Sequence, residues 1–143
     1  MTSGRLAGAV LLDASALMAF MADEPGATNV KAALLKRHCS ISSVTLTEVA
    51  GKLVGRGEMT HGQVTQVLTQ VLTQVLSAVD EVPFDAACRE RAVFYYARKS
   101  PYNLSLGDAA CLGTAETLSM DVLTAERGWQ AIPDLPIKVE LIR

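Results

Sequence analysis

Short apolar runs alternate with longer amphipathic segments along the whole chain. The first run, Val10 to Leu12, lacks polar alternation, which is typical of a strand buried on both faces of a sheet. The run ends at Asp13, and residues 14–22 then have the pattern of a helix for which Ser15 is a suitable N-cap. The pattern therefore predicts that the chain opens with a strand, an acid at the strand tip and a helix.

The later segments repeat this alternation without an intervening linker. Predicted helices cover residues 27–37, 43–54, 60–79, 86–99 and 105–118, and predicted strands cover residues 39–42, 81–84, 121–124 and 138–142, with a loop at 100–103. Alternating strands and helices predict an α/β fold, a three-layer α/β/α sandwich around a mainly parallel sheet. At this length the chain, residues 1–143, is expected to form a single domain.

The fourth predicted helix contains a tandem repeat. Thr60 and Gln63 fit the capping-box pattern at its start, and a Gln-Val-Leu-Thr unit then recurs through residues 66–76. A period of four drifts by about 40° per repeat around a helix, so the apolar positions between 64 and 79 stay on one half. We therefore expect a structural or partner-facing helix without catalytic residues.

Composition and charge narrow the class of protein. Half of the residues are hydrophobic and a fifth are charged, which argues against disorder. The formal net charge of −2 argues against a broad basic nucleic-acid surface but permits a local basic patch. Arg5 and the apolar residues after it weakly resemble a signal peptide, yet Asp13 interrupts the run, and no run approaches the ~20 residues of a membrane span.

Cysteine usage indicates a reducing compartment. The three cysteines are far apart and form no C-x-x-C pair, so we expect buried free thiols and a cytoplasmic protein without a membrane association. The residues concerned are Cys39, Cys88 and Cys111.

Acidic residues supply the candidate chemistry, since phosphate-binding loops and nucleophile elbows are absent from the sequence. Asp13 and Glu126 each follow a predicted strand, Glu48 lies one turn into a predicted helix, and Asp108 lies in the first turn of another. Each has an ordinary explanation alone, as a helix cap or a solvated charge. Together they would converge at the carboxyl edge of a parallel sheet, where a divalent cation would offset their repulsion. Such a cluster can activate water for phosphodiester hydrolysis.

Four segments carry a resemblance to a known family. They are residues 11–17 (LLDASAL), 41–49 (ISSVTLTEV), 104–112 (LSLGDAACL) and 122–129 (VLTAERGW). On these residues the chain resembles PIN-domain proteins, specifically the VapC-type toxin ribonucleases of bacterial toxin–antitoxin pairs. The resemblance implies a PIN-like fold, a single nuclease domain and metal-dependent endoribonuclease activity.

The resemblance also implies roles for individual residues. Asp13, Glu48 and Asp108 would be the core ligands of Mg²⁺ or Mn²⁺, and Glu126 would be a fourth acid where the family commonly has Asp. Ser15 and Thr124 would supply hydroxyl groups around them. The implied partners are an RNA substrate, a cognate VapB-type antitoxin that covers the acidic site, and a second copy of the chain in a homodimer. RNA backbone contacts would come from a subset of Lys52, Arg56, Arg98, Lys99 and Arg127.

Two other classes of function compete with this interpretation. A non-catalytic PIN-like module could bind RNA or protein, although such a module has no need to keep four mutually repelling acids. A phosphatase or regulator could instead use Asp13 as a covalent phosphate acceptor. Phosphatases of that type typically need a second Asp two residues further on, and this chain has Ser15 there.

Overall fold

The computed structural model describes residues 8–70 and 79–143. Within them, five strands alternate with helices as the sequence pattern predicts. The strands are β1 (Val10–Leu12), β2 (Cys39–Ser42), β3 (Val79–Val82), β4 (Asp121–Thr124) and β5 (Val139–Leu141). The helices are α1 (Ala14–Ala22), α2 (Ala27–Lys36), α3 (Ser43–Gly55), α4 (His61–Gln70), α5 (Ala86–Tyr96), α6 (Lys99–Tyr102) and α7 (Leu106–Leu118), followed by a 3₁₀ helix at Arg127–Ala131.

The strands form one sheet in the order β3-β2-β1-β4-β5, and all four pairings are parallel. The expected α/β sandwich is confirmed, and the described sheet is wholly rather than mainly parallel. Strand β1 is central, with Leu11 in register with Ser40 of β2 and Val122 of β4. The carboxyl ends of β1, β2 and β4 therefore lie side by side at one edge, where the acidic residues were expected to meet.

Both faces of the sheet are covered by helices. Val10 and Leu12 pack with residues of α1, α2, α3 and α4 on one face, whereas Leu11 packs with residues of α7 on the other. All three side chains are fully buried. This two-sided burial explains why β1 has no polar position.

The helices of the second face are fixed by a close contact between α5 and α7. A Cβ atom added at Gly113 would lie 2.5 Å from the backbone nitrogen of Ala92, so the two helices touch backbone to backbone. Next to this contact, the Tyr95 hydroxyl donates a hydrogen bond to Glu116 at 2.6 Å. Helix α7, which carries Asp108 in its first turn, is thereby held against α5.

One loop prediction is wrong. Residues 100–103 were expected to form a loop after a helix reaching residue 99, but α5 ends at Tyr96 and a short helix covers Lys99–Tyr102. Pro101 is compatible with this helix because it occupies the first turn, where the missing N–H group has no intrahelical acceptor. Asn103 ends α6 in the left-handed conformation, with φ 54°.

The boundary between the fourth helix and the third strand also differs from the prediction. Val79 was assigned to the helix and residues 81–84 to a weak strand, but β3 begins at Val79, which pairs with Cys39 of β2. This pairing overrides the local helical pattern, and Pro83 follows the strand at the edge of the sheet. Residues 71–78, which contain the second half of the repeat, lie outside the described residues.

Several smaller predictions have clear outcomes. The capping box at the start of α4 is confirmed, because Thr60 N–H donates to Gln63 Oε1 at 2.9 Å and Gln63 N–H donates to Thr60 Oγ1 at 3.1 Å. The three cysteines are buried and free, as expected. Among the described helices, none combines the length and the apolar composition that crossing a membrane requires.

Candidate active site

Asp13 lies at the carboxyl end of β1 and is the N-cap of α1. Its Oδ1 atom accepts a hydrogen bond from the backbone N–H of Ala16 at 2.8 Å. The prediction that Ser15 caps this helix is therefore wrong. Ser15 lies in the first turn instead, and its hydroxyl group donates to the Asp13 carboxylate at 2.7 Å and 2.9 Å.

A second hydroxyl group fixes Asp13 from the neighbouring strand. Thr124 at the end of β4 donates to Asp13 Oδ2 at 2.6 Å. The backbone N–H of Ala125 donates to Ser15 Oγ at 2.8 Å, and that of Glu126 donates to Thr124 Oγ1 at 2.9 Å. This network joins the start of α1 to the end of β4 and leaves the Asp13 carboxylate little freedom to rotate.

Asp13 is a buried charge, with 3% of its surface exposed. The pKa of Asp13 is raised to about 6. Burial is the main cause and the nearby Glu126 carboxylate adds to it, while the hydrogen bonds from Thr124, Ser15 and the Ala16 N–H act in the opposite direction. The ionised form is therefore costly in this environment unless a cation compensates it.

Glu48 reaches the same region from α3. Its side chain is 29% exposed, and Lys52 Nζ lies 3.8 Å from its Oε2 atom. The Glu48 carboxylate rests against Gly107 of α7, where an added Cβ atom would lie 2.7 Å from Oε1. Gly107 was missed in the sequence analysis, although a glycine inside the first turn of a helix is a signal of close approach.

Asp108 combines a helix-capping role with a position at the site. Its Oδ2 atom accepts from the Ser105 N–H at 2.9 Å, while the Asp108 N–H donates to Ser105 Oγ at 3.0 Å, which completes a capping box. The ordinary explanation for this acid is thus correct, and it holds the carboxylate at the start of α7.

The four predicted acids line one cavity of about 180 Å³ at the carboxyl edge of the sheet. Ser15 lines it as well, while Thr124 lies buried beneath Asp13. The remaining lining residues are Ala14, Met18, Glu24, Lys52 and Arg56. Glu24 lies in the turn between α1 and α2, in a segment whose sequence indicated only a helix end, so no sequence signal pointed to it.

A buried thiol behind the cavity shows how closely these charges are grouped. Burial raises the pKa of Cys111 well above its usual value, and the negative charges of Asp13, Asp108 and Glu48 raise it further. Three carboxylates from three elements therefore act on one point inside the protein. The thiol itself stays protonated and serves as an apolar packing group.

The donor chemistry of the cavity fits Mg²⁺ or Mn²⁺, because hard divalent cations select carboxylate and hydroxyl oxygens. In the conformation described, however, no three His, Cys, Asp or Glu side chains among residues 8–70 and 79–143 are arranged to hold one ion. Asp108 is turned toward the Ser105 N–H and Glu48 toward Lys52. Shared coordination requires these two side chains to rotate.

A parallel sheet with an acid-lined cavity at its carboxyl edge places this chain among the α/β proteins, whose ligand sites usually lie beyond the carboxyl ends of the strands. The family model for the PIN domain matches residues 10–135. The chain therefore belongs to the PIN domain family, which is a family of nucleases. Comparison with curated proteins found no significant match.

Solved structures of toxin–antitoxin proteins share this fold. VapBC2 from Rickettsia felis, bound to a DNA fragment from their promoter, matches with 17% identity and a TM-score of 0.69 over 93% of this chain and 98% of that chain. A toxin–antitoxin complex from Klebsiella pneumoniae matches with 25% identity and a TM-score of 0.60 over 90% and 98%. VapC20 from Mycobacterium tuberculosis, a toxin that cleaves the sarcin–ricin loop, matches with 14% identity and a TM-score of 0.66 over 90% and 98%.

Proposed function

We propose that this protein is a divalent-metal-dependent endoribonuclease and the toxin of a VapBC-type toxin–antitoxin pair. One observation carries the proposal: Asp13, Glu48, Asp108 and Glu126 come from four separate parts of the chain and line one cavity. Asp13 caps α1, but its nearly complete burial makes the ionised carboxylate costly unless a cation compensates it.

These four carboxylates would hold Mg²⁺ or Mn²⁺. A bound ion of this kind supplies Lewis-acid chemistry, in which water is activated and phosphate charge is neutralised. The hydroxyl groups of Ser15 and Thr124 keep both Asp13 oxygens oriented, and the capping box keeps Asp108 at the cavity. The protein thus fixes the Asp13 carboxylate before the substrate arrives, whereas Asp108 and Glu48 would rotate toward the metal ion.

The proposed partners follow from the same site. Single-stranded RNA would be the substrate, and a VapB-type antitoxin would cover the acid-lined cavity, by analogy with the VapBC complexes that share this fold. A homodimer is proposed as well, from the resemblance of the sequence to VapC-type toxins. The cytoplasm is the proposed compartment, which suits three buried free thiols.

The proposal is tested by incubating the purified protein with total RNA in the presence of Mg²⁺, Mn²⁺ or EDTA and mapping the cleaved ends. We expect cleavage at defined positions with either metal ion and none with EDTA. Binding of RNA or of a protein partner without cleavage under any of these conditions would support the non-catalytic module instead.

Glu126 allows a more specific test, because the residue is exposed and its backbone N–H, not its side chain, donates a hydrogen bond to Thr124. A change of its side chain should therefore leave the hydrogen bonds around Asp13 in place. If its charge contributes to the site, Glu126→Asp keeps substantial activity, whereas Glu126→Gln loses about 10–100-fold, as is typical for groups that support metal ligands. Cleavage rates measured across a Mn²⁺ titration distinguish the two variants. Wild-type rates for Glu126→Gln at every Mn²⁺ concentration would remove Glu126 from the site.

A further inference from the structure

We propose that Lys52 and Arg56 form a phosphate track on α3 that leads the RNA backbone into the acid-lined cavity. This inference rests on the ribonuclease function proposed above and adds the residues that bind substrate next to the scissile position. It concerns two positively charged side chains that line the cavity and that have no role assigned above in holding a metal ion or in orienting Asp13.

The spacing of these residues along α3 is regular. Glu48, Lys52 and Arg56 follow one another in steps of four, so they lie on the same face of the helix about 6 Å apart along its axis. All three line the cavity. The track therefore begins at a carboxylate of the site and continues outward with two positive charges, at intervals suited to successive phosphates of an extended single strand.

Both cations are available for a ligand. The Lys52 side chain is 47% exposed and lies 3.8 Å from Glu48, and the Arg56 side chain is 54% exposed and lies 3.9 Å from Glu58. Ion pairs that are this long and this exposed hold their partners weakly. Each cation can therefore exchange its carboxylate for a phosphate, and the guanidinium of Arg56 can bind a phosphate through two hydrogen bonds.

The helix surface beside the two cations is open. Gly51 and Gly55 lie one position before Lys52 and Arg56, and a Cβ atom added at either glycine would meet nothing within 4 Å. Glycine inside a helix is unfavourable compared with alanine, and no close protein neighbour requires it at Gly51. A low surface beside two cations is what a sugar–phosphate backbone needs for close approach.

The other cations considered in the sequence analysis have different surroundings. Arg98 lies over the ring of Phe94 at 3.6 Å and donates to the Phe94 carbonyl, and it lines a separate cavity next to α5. Lys99 lies over the ring of Tyr96 at 4.3 Å. Arg127 is exposed and directly follows Glu126 in the sequence. None of these three residues lines the acid-lined cavity, so the structure favours Lys52 and Arg56.

Binding measurements test the track independently of cleavage. All variants are made with Asp13→Asn, so that RNA is not consumed, and each is titrated with a fluorescein-labelled single-stranded RNA of about ten nucleotides at several salt concentrations. Because each phosphate contact contributes about −0.7 to the salt slope for single strands, Lys52→Gln with Arg56→Gln should reduce the slope by about 1.4 and weaken binding about tenfold. The control pair Lys31→Gln and Arg89→Gln, exposed residues outside the cavity, should leave the slope and the affinity unchanged.

Cleavage measurements separate this proposal from the ribonuclease proposal. With Asp13 intact, the Lys52→Gln, Arg56→Gln pair should raise KM about tenfold with little change in kcat, and Lys52→Arg should retain the wild-type KM. An unchanged salt slope for the pair overturns the track, whether or not the protein cleaves RNA. A reduced slope in a protein that never cleaves RNA supports the track and contradicts the ribonuclease.

An acidic protein segment is the other ligand that two cations could bind. An octaglutamate peptide is therefore titrated in parallel with the RNA at equal ionic strength. Tighter binding of the peptide than of the RNA, lost in the Lys52→Gln, Arg56→Gln pair, would assign these cations to a protein partner and overturn the proposal. Weaker binding of the peptide supports RNA as the ligand.

Discussion

Asp13→Asn and Asp108→Asn are each expected to lower RNA cleavage by more than about 100-fold, because removing a direct ligand costs more than the 10–100-fold typical of supporting groups. Asn keeps the size of the side chain but removes the charge that would bind the metal ion. Cleavage rates with saturating Mn²⁺, measured on the substrate found in total RNA, give the result. The free energy of unfolding at neutral pH should not fall for Asp13→Asn, since burial makes the ionised carboxylate unfavourable there.

A matched control tests whether removal of a carboxylate outside the acid-lined cavity also lowers RNA cleavage. Asp134 has a positive φ of 60°, a conformation that Asn also tolerates, and it lines a cavity next to α5 and not the acid-lined one. Asp134→Asn should therefore cleave RNA at the wild-type rate. Comparable activity in Asp13→Asn and wild type, with both proteins folded, would place the catalytic site elsewhere.

Gly107→Ala is expected to lower cleavage by about 10–100-fold, the range for residues that position a metal ligand. The added Cβ atom would lie 2.7 Å from Glu48 Oε1, so the Glu48 carboxylate has to move. The obstacle is the end of a flexible side chain, and the fold should remain intact. Parallel measurements of cleavage rate and melting temperature show whether activity falls without unfolding.

Gly62→Ala provides the comparison, since a Cβ atom at Gly62 in α4 meets nothing within 4 Å. This variant should retain full activity. If Gly107→Ala were as active as Gly62→Ala, the position of the Glu48 carboxylate would be unimportant for the reaction.

Local sequence signals identified most of the elements that build the site. The apolar run 10–12 that ends at Asp13, and the helix that begins after residue 105 with Asp108 in its first turn, are both determined by residues close together in sequence, and both are found where expected. Once the strands are parallel, their carboxyl ends must share an edge. Convergence of Asp13 with Glu126 also requires β1 and β4 to be neighbours in the sheet, which the sequence pattern does not determine.

Features that depend on packing were not available from the sequence. Glu24 lines the cavity because of how the turn after α1 lies, and Gly107 matters because α3 approaches α7 at that point. The start of β3 at Val79 is set by its partner strand β2, against a helical local pattern. The identity of the cap of α1 was also missed, since Asp13 and Ser15 are both good capping residues.

The hydrogen bond between Asp13 and Thr124 has a consequence for the time course of synthesis. The two residues are separated by 111 positions in sequence, and β1 and β4 pair across the same interval. At about 5–20 residues per second, a ribosome reaches Thr124 roughly 6–22 s after it has made Asp13. A nascent chain therefore carries its first acid without the strand and the hydroxyl group that orient it. The site can therefore assemble only after β4 has been synthesised, because the central strand β1 pairs directly with a strand that is made late in translation.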